Sequence, residues 1–262
     1  MVGDTMSSRT LLVVVAHPDD ESFGCGALIA AHAHAGVRVI VCCASRGERG
    51  EDASGRHATR TALGAARERE LREAAAVLGV AEVELLGLAD SGWDGEPQPD
   101  AIVADPELLA ARVGEVIDRH RPEVVVTLDP TGSDGHRDHA AVGSAVTVAF
   151  DRVVEWPAAL YHWCLPHSLM DAWTREIAAR SPDSVYLETE LGRPDAEITT
   201  VLDGNEVRDV VWRAIECHAS QATPYDGVTA ELAERFVRYD HLVRRHPGWE
   251  GGPLETRLSW PS

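Results

Sequence analysis

The sequence predicts an α/β fold: a Rossmann-like, doubly wound, mostly parallel sheet with helices on both faces and a C-terminal α/β extension. Two patterns carry that prediction. Short aliphatic runs of the kind buried on both faces of a parallel sheet recur along the first two-thirds of the 262 residues. Each is followed by a longer segment with helical spacing of apolar residues, and that alternation implies right-handed crossovers. There is also no internal repeat or low-complexity tract. Residues 10–262 therefore read as a single domain behind a flexible extension over residues 1–9, with a core to about residue 165 and the extension from about 166.

Taken in order, the run Leu11 to Ala16 is the first strand. Gly24 to Ala35 is alanine-rich and helical, stopped by Gly36. Val37 to Cys43 is a second strand, and about Ala62 to Leu78 a helix with Leu63, Ala66, Leu71, Ala74 and Leu78 at helical spacing before Gly79. Val83 to Leu86 is a third strand, and Glu107 to His120 a helix broken before Pro122. Val124 to Leu128 is the fourth strand, with a helix from Asp138 to Val154 after it. Beyond Pro157 the pattern weakens. Leu160 to Trp163 and Ile198 to Val201 predict strands, and Asn205 to His218 and Ala230 to Arg245 predict helices. Two long polar connections, Ala44 to Thr59 and Gly87 to Pro106, follow strands and so belong on one rim of the sheet, as lids or binding loops.

Composition excludes several function classes. The formal charge of −19 disfavours nucleic acid or an anionic membrane as partner, because both need basic residues for their phosphates. All 24 basic residues are arginine, which removes Schiff-base lysine chemistry and the phosphate-cradling lysine of a P-loop. The five cysteines form an odd set without a C-x-x-C, so neither a disulfide framework nor a cysteine zinc site is expected. No apolar stretch has the length of a membrane span and no basic n-region precedes the first apolar run, so the expectation is a cytoplasmic chain. Nothing in the pattern specifies an oligomeric state.

Two segments carry chemistry. His17-Pro18-Asp19-Asp20-Glu21 sits where the first strand stops, and Asp129 to His139, with Gly135-His136-Arg137-Asp138-His139 at its end, follows the fourth. Ligands in open α/β sheets bind beyond the carboxyl ends of strands, and strand ends one and four can converge there. Two histidines and one aspartate would satisfy a catalytic zinc site with an open position for water. A second carboxylate can serve as base and a further histidine can protonate the leaving group. Each segment also has a plainer reading. An aspartate after a strand can cap the next helix, and His136 and His139 can be solvated residues of a helix N-terminus.

Taken together in this order, Ala16-His17-Pro18-Asp19-Asp20-Glu21 and Gly135-His136-Arg137-Asp138-His139 resemble the LmbE/PIG-L family of zinc-dependent N-deacetylases. The resemblance extends to Gly47-Glu48, Arg67 in Ala66-Arg67-Glu68-Arg69-Glu70-Leu71, Asp90-Ser91-Gly92, and Ala214 to Gln221. It implies one zinc ion held by His17, Asp20 and His139; by donor chemistry iron(II) can occupy such a two-histidine, one-aspartate site too. It implies Asp19 as general base, His136 as general acid or oxyanion stabiliser, and Asp138 as the group that holds the His136 imidazole. Arg67, Asp90 and, more loosely, Glu51 match positions that hold sugar hydroxyls. Arg67 can instead be a solvated partner of Glu70, Asp90 a cap on Ser91-Gly92, and Glu51 a surface charge.

The implied reaction removes an acetyl group from the amide nitrogen of an N-acetylated amino sugar or glycoside, a small-molecule partner. Asp90-Ser91-Gly92 and Ala104-Asp105-Pro106 resemble the branch that deacetylates N-acetylglucosaminyl-inositol or cleaves mycothiol conjugates, so an amidase of mycothiol S-conjugates is the alternative. That branch has tyrosine where this chain has Asp134, which leaves tailoring of an antibiotic glycoside open. A non-enzymatic nucleotide-binding Rossmann protein would need G-x-G-x-x-G after the first strand, where Asp19, Asp20 and Glu21 would repel phosphate.

Overall fold

The structure is a computed structural model that describes residues 9–188 and 190–261; of the extension expected over residues 1–9, all but Arg9 lies outside the described residues. Seven strands form one sheet: β1 (Thr10–Val15), β2 (Arg38–Cys43), β3 (Glu82–Leu85), β4 (Val124–Leu128), β5 (Ala159–Cys164), β6 (Thr200–Asp203) and β7 (Tyr239–His246). Their order is β3-β2-β1-β4-β5-β7-β6, the first five parallel and β7 antiparallel to both its neighbours. Leu11 to Val15 are all 0% exposed, as expected for a central strand covered on both faces.

The helices are α1 (Asp20–Phe23), α2 (Gly26–His34), α3 (Arg60–Leu78), α4 (Pro106–His120), α5 (Arg137–Val153), α6 (His167–Ala178), α7 (Arg208–Cys217) and α8 (Ala230–Arg238). Helices α4 and α5 pack together over one face of the sheet; α2 and α3 pack with α7 over the other. Their ends carry the signals that sequence logic requires. The Thr59 hydroxyl accepts from the Ala62 amide to open α3, and Gly79, at φ 83°, closes it in the left-handed region. The Asp105 carboxylate caps α4 ahead of Pro106. No helix among the described residues is long and apolar enough to cross a membrane.

β1 lies between β2 and β4, so the chain leaves β1 in one direction and β4 in the other, which opens a crevice at their carboxyl ends. Helix α5 is seated against that crevice by Gly143. A Cβ there would stand 2.3 Å from the Leu128 carbonyl oxygen and 2.8 Å from the Pro130 nitrogen. Only glycine permits this approach.

Three sequence expectations change. The helix expected over Ala230 to Arg245 ends at Arg238, and Tyr239–His246 is strand β7. The alternating burial of Asp240 and Leu242, with β5 and β6 hydrogen-bonding on either side, outweighs the helical spacing there. The last predicted strand is displaced from Ile198–Val201 to Thr200–Asp203. Helix α6 was not expected; it buries Leu169, Met170 and Trp173 in a small cluster with Leu191 and Leu232.

Candidate functional site

The two motifs meet in the crevice between β1 and β4. After β1 the turn folds around Asp20, whose Oδ2 accepts the amides of Ala16 at 3.0 Å and His17 at 2.8 Å. Its Oδ1 is left facing His139 Nε2 at 3.2 Å. After β4, Gly135 at φ 83° delivers His136 to the N-cap of α5 and His139 to its first turn. His17 Nδ1 then lies 3.3 Å from His139 Nε2, and 3.8 Å from Asp20 Oδ2.

The outward-facing ring nitrogens are both carboxylate-bound. His17 Nε2 is 3.1 Å from Asp138 Oδ2 and 3.6 Å from Asp90 Oδ1, while His139 Nδ1 contacts Asp134 Oδ2. A neutral imidazole that donates its outer N–H to a carboxylate turns a lone pair inward. His139 Nε2 thus lies 3.3 Å from the inward His17 lone pair and 3.2 Å from Asp20 Oδ1, an arrangement that repels itself unless a cation lies between them. Tetrahedral coordination with bonds of ~2.0–2.1 Å has ligand–ligand edges of about 3.3–3.4 Å. The donor set therefore fits a divalent metal. Burial disfavours charge on His139, yet Asp134 and Asp20 hold its pKa well above the ordinary value. Burial likewise opposes ionisation of Asp20, and His139 and His17 more than offset it, lowering its pKa. His17, His136 and His139 form one group of potential ligands, and His17, Asp90 and Asp138 another. In the second group Asp90 already accepts the Arg49 and Gly92 amides, and Asp138 the Ser91 amide.

His136 stands beside this set, its ring 4.7 Å from that of His17 and 4.8 Å from that of His139. Its Nδ1 accepts the Asp138 backbone amide at 3.2 Å, which puts the ring proton on Nε2. Burial and the neighbouring His17 and His139 push its pKa down to about 3, so it is a neutral donor. The sequence expectation that the Asp138 carboxylate holds this imidazole is corrected. That carboxylate turns inward to His17, because position 138 of the first helical turn faces β1, and only its backbone reaches His136.

Asp19 has φ 122°, donates its amide to Glu21 Oε2 at 3.0 Å, and takes Arg67 Nη2 on Oδ2 at 2.9 Å. Burial pushes its carboxyl up to about 6; Arg67 pulls the other way and Asp20 adds to the rise.

The three residues expected to bind sugar are placed differently. Arg67 is 3% exposed and directs Nη1 to the Gly47 carbonyl and Nη2 to the Pro18 carbonyl, each at 2.6 Å, with Nη2 also on Asp19. It ties α3 to both rim turns, as a buried guanidinium must find acceptors. Asp90, also 3% exposed, accepts from Arg49 and Gly92, which matches the capping alternative, and it backs His17. Glu51 is exposed and makes no hydrogen bond to any of these residues.

Sequence reasoning assigns no site role to Asp134, Glu21, Arg137, Trp93 or Tyr186, and leaves His218, in the family-like segment, between an approach to the site and a packing role. Asp134 is singled out there only for replacing the branch's tyrosine, not as the carboxylate behind His139. Glu21 and His218 pair at 2.7 Å, 197 positions apart, with burial opposing and Glu21 favouring charge on His218, whose pKa is raised. Arg137 donates to the carbonyls of Ser91, Gly92, Asp94 and Gly95, pinning the rim loop to α5. Trp93 on that loop stands 5.2 Å from the His136 ring, with Tyr186 edge-on behind it.

Comparison with known proteins follows this geometry. The family model described as PIG-L, GlcNAc-PI de-N-acetylase, matches residues 12–150. A 1D-myo-inositol 2-acetamido-2-deoxy-alpha-D-glucopyranoside deacetylase of Rhodococcus opacus is 35% identical over 92% of this chain and 91% of its own length. Among solved structures, the 4-carboxy-2-hydroxymuconate hydratase of Pseudomonas putida superposes with TM-score 0.64 at 24% identity, covering 94% of this chain and 99% of its own. The N,N'-diacetylchitobiose deacetylase of Pyrococcus horikoshii does so at 0.61 and 16%, covering 91% and 84%. One of these neighbours is a hydratase, so the fold alone does not select the reaction.

Proposed function

The chain belongs to the PIG-L family of GlcNAc-PI de-N-acetylases, and from that premise we propose how it works as an amide hydrolase on N-acetylated amino sugars. His17, Asp20 and His139 would hold the metal, zinc by preference, with iron(II) suited to the same donors. When bound, the cation supplies a Lewis acid for the amide carbonyl and acidifies water. The observation that carries this reading is His139 Nε2 standing 3.3 Å from His17 Nδ1 and 3.2 Å from Asp20 Oδ1, with both imidazoles backed by carboxylates.

The remaining roles follow from protonation states. Asp19, with a pKa of about 6, is ionised at neutral pH and a stronger base than an ordinary aspartate. It takes a proton from the attacking water as the water oxygen adds to the carbonyl carbon. Neutral His136 donates from Nε2 to the developing oxyanion. The proton on Asp19 passes to the amide nitrogen as the carbon–nitrogen bond breaks, leaving acetic acid, which keeps the other water proton, and a free amine. His136 is thus read as oxyanion donor and not as the acid, since a group with so low a pKa carries no spare proton.

Relatives named as inositol-linked N-acetylglucosamine deacetylases make that glycoside the first substrate to test. Asp134, at the position of the branch's tyrosine, is committed to His139, so Trp93, with Tyr186 behind it, is the aromatic group beside His136 offered to the sugar. We also read residues 10–262 as one working domain in a cytoplasmic setting, supported by β6 and β7 continuing the core sheet and by five unpaired cysteines. The test is a deacylation screen of zinc-loaded protein over N-acetyl glycosides and a mycothiol-type conjugate amide. Acetate release from the glycosides is expected; cleavage of the conjugate alone would replace this reading with the amidase. Asp19→Ala should keep about one zinc per chain and lose turnover, whereas His17→Ala and His139→Ala should lose the metal.

A further inference from the structure

Asp19 holds its backbone at φ 122° and ψ −31°, a conformation that L residues avoid unless their surroundings impose it. The imposing group is Glu21. Its Oε2 accepts the Asp19 amide at 3.0 Å, while Oε1 accepts the Ser22 hydroxyl at 2.6 Å and faces His218 Nε2 at 2.7 Å. The Glu21 and His218 side chains are both 0% exposed. A carboxylate placed so deeply needs several donors, and His218 supplies the strongest available.

His218 comes from the other end of the chain, at the end of α7, and is anchored there. Helix α7 packs on α3, and the Ser220 amide and hydroxyl both donate to Glu70 of α3, at 3.0 and 2.6 Å. The Phe23 ring stands edge-on to His218 at 5.8 Å, and the Tyr225 hydroxyl donates to the Phe23 carbonyl at 2.6 Å. The turn that carries Asp19 is therefore gripped from the C-terminal segment.

We propose that Glu21 and His218 are a buried positioning pair that holds Asp19 in its left-handed conformation, so that its carboxylate stays on Arg67 and within the metal crevice. The pair touches no reacting atom and acts through Asp19. The inference rests on Asp19 being the base, but its first test does not. Glutamine at 21 offers one acceptor oxygen where Glu21 uses two, and leucine at 218 offers no donor, whereas glutamine at 218 keeps one.

In crystals of Glu21→Gln or His218→Leu, Asp19 should relax to negative φ and leave Arg67. If Asp19 keeps φ near 122° in both, the proposal is wrong whatever the substrate. In turnover assays, both variants should lose about tenfold or more in kcat, with KM and metal content unchanged, and His218→Gln should recover much of it. In an Asp19→Asn background the same substitutions should cost nothing further; multiplying losses would assign the pair a role independent of Asp19 and overturn the inference. An active wild type with undiminished variants defeats this proposal alone. A wild type inactive on every amide defeats the proposed function, and the φ of Asp19 still decides the pair.

Discussion

Asp134 and Asp138 do similar work from opposite sides of the crevice, each fixing one imidazole by its outer nitrogen. Outer-shell carboxylates of this kind set ligand tautomer and basicity, so Asp134→Asn should weaken zinc binding about 10–100-fold, read by chelator competition. Unchanged affinity would mean that His139 needs no carboxylate behind it. With Asp19 as the proposed base, the pH response follows. A base must be ionised, so kcat/KM should fall by about tenfold per pH unit below its pKa. The acid limb belongs at or below about pH 6, because a nearby cation can only lower that value. Asp19→Glu or →Asn profiles that keep the same limb would move it to another group. At this scale the sequence was informative about ligand types and silent about pairing. Asp138 was legible as an acid beside His136, but which histidine it faces depends on the rotation of α5.

The element that matters most is α5, since its first turn carries His136, Asp138 and His139. Its seat against β4 is set by Gly143, where helix propensity and packing disagree. Glycine to alanine inside a helix should gain about 1 kcal/mol from propensity alone. A Cβ 2.3 Å from the Leu128 carbonyl oxygen should cost about 1–3 kcal/mol or more and push the helix outward. We expect Gly143→Ala to lower the urea midpoint and the zinc affinity together; a stabilised variant would show that α5 can shift freely. The same balance explains the misread end of α8. Residues 239–246 carry apolar spacing that suits a helix, yet the open edges of β5 and β6 offer hydrogen bonds that only a strand can use.

Over the whole molecule, the C-terminal segment is built into the core sheet, and Asp240 is one of its joints. It is 1% exposed, with Oδ2 on the Leu28 amide of α2 at 2.5 Å and Oδ1 on Trp163 Nε1 at 3.3 Å. Burial pushes its carboxyl up to about 7, the two N–H groups only partly opposing this. Between the unfolded value of 3.8 and about 7, the folded chain keeps a proton that the unfolded chain has released. Stability from this group is therefore fully present below pH 3.8 and declines as pH rises to 7. Asp240→Asn has no charge to titrate, so its deficit against wild type should be larger at about pH 4.5 than at about pH 7.5 in urea unfolding. A deficit that grows with pH would mean that Asp240 is ionised in the fold.

By itself the sequence determined the parallel core, the crevice and the histidine and carboxylate types that line it. Those follow from local signals: aliphatic runs for β1 and β4, glycine and capping residues at helix ends, and a histidine–carboxylate motif after each of two strands that the alternation makes neighbours. The tertiary structure decided what each buried polar group faces. Arg67 and Asp90, read as sugar ligands, are drawn inward because a buried charge takes the nearest complementary partners, here Asp19, backbone carbonyls, backbone amides and His17. His218 reaches Glu21 only because α7 packs on α3, a contact across 197 positions that no local pattern encodes.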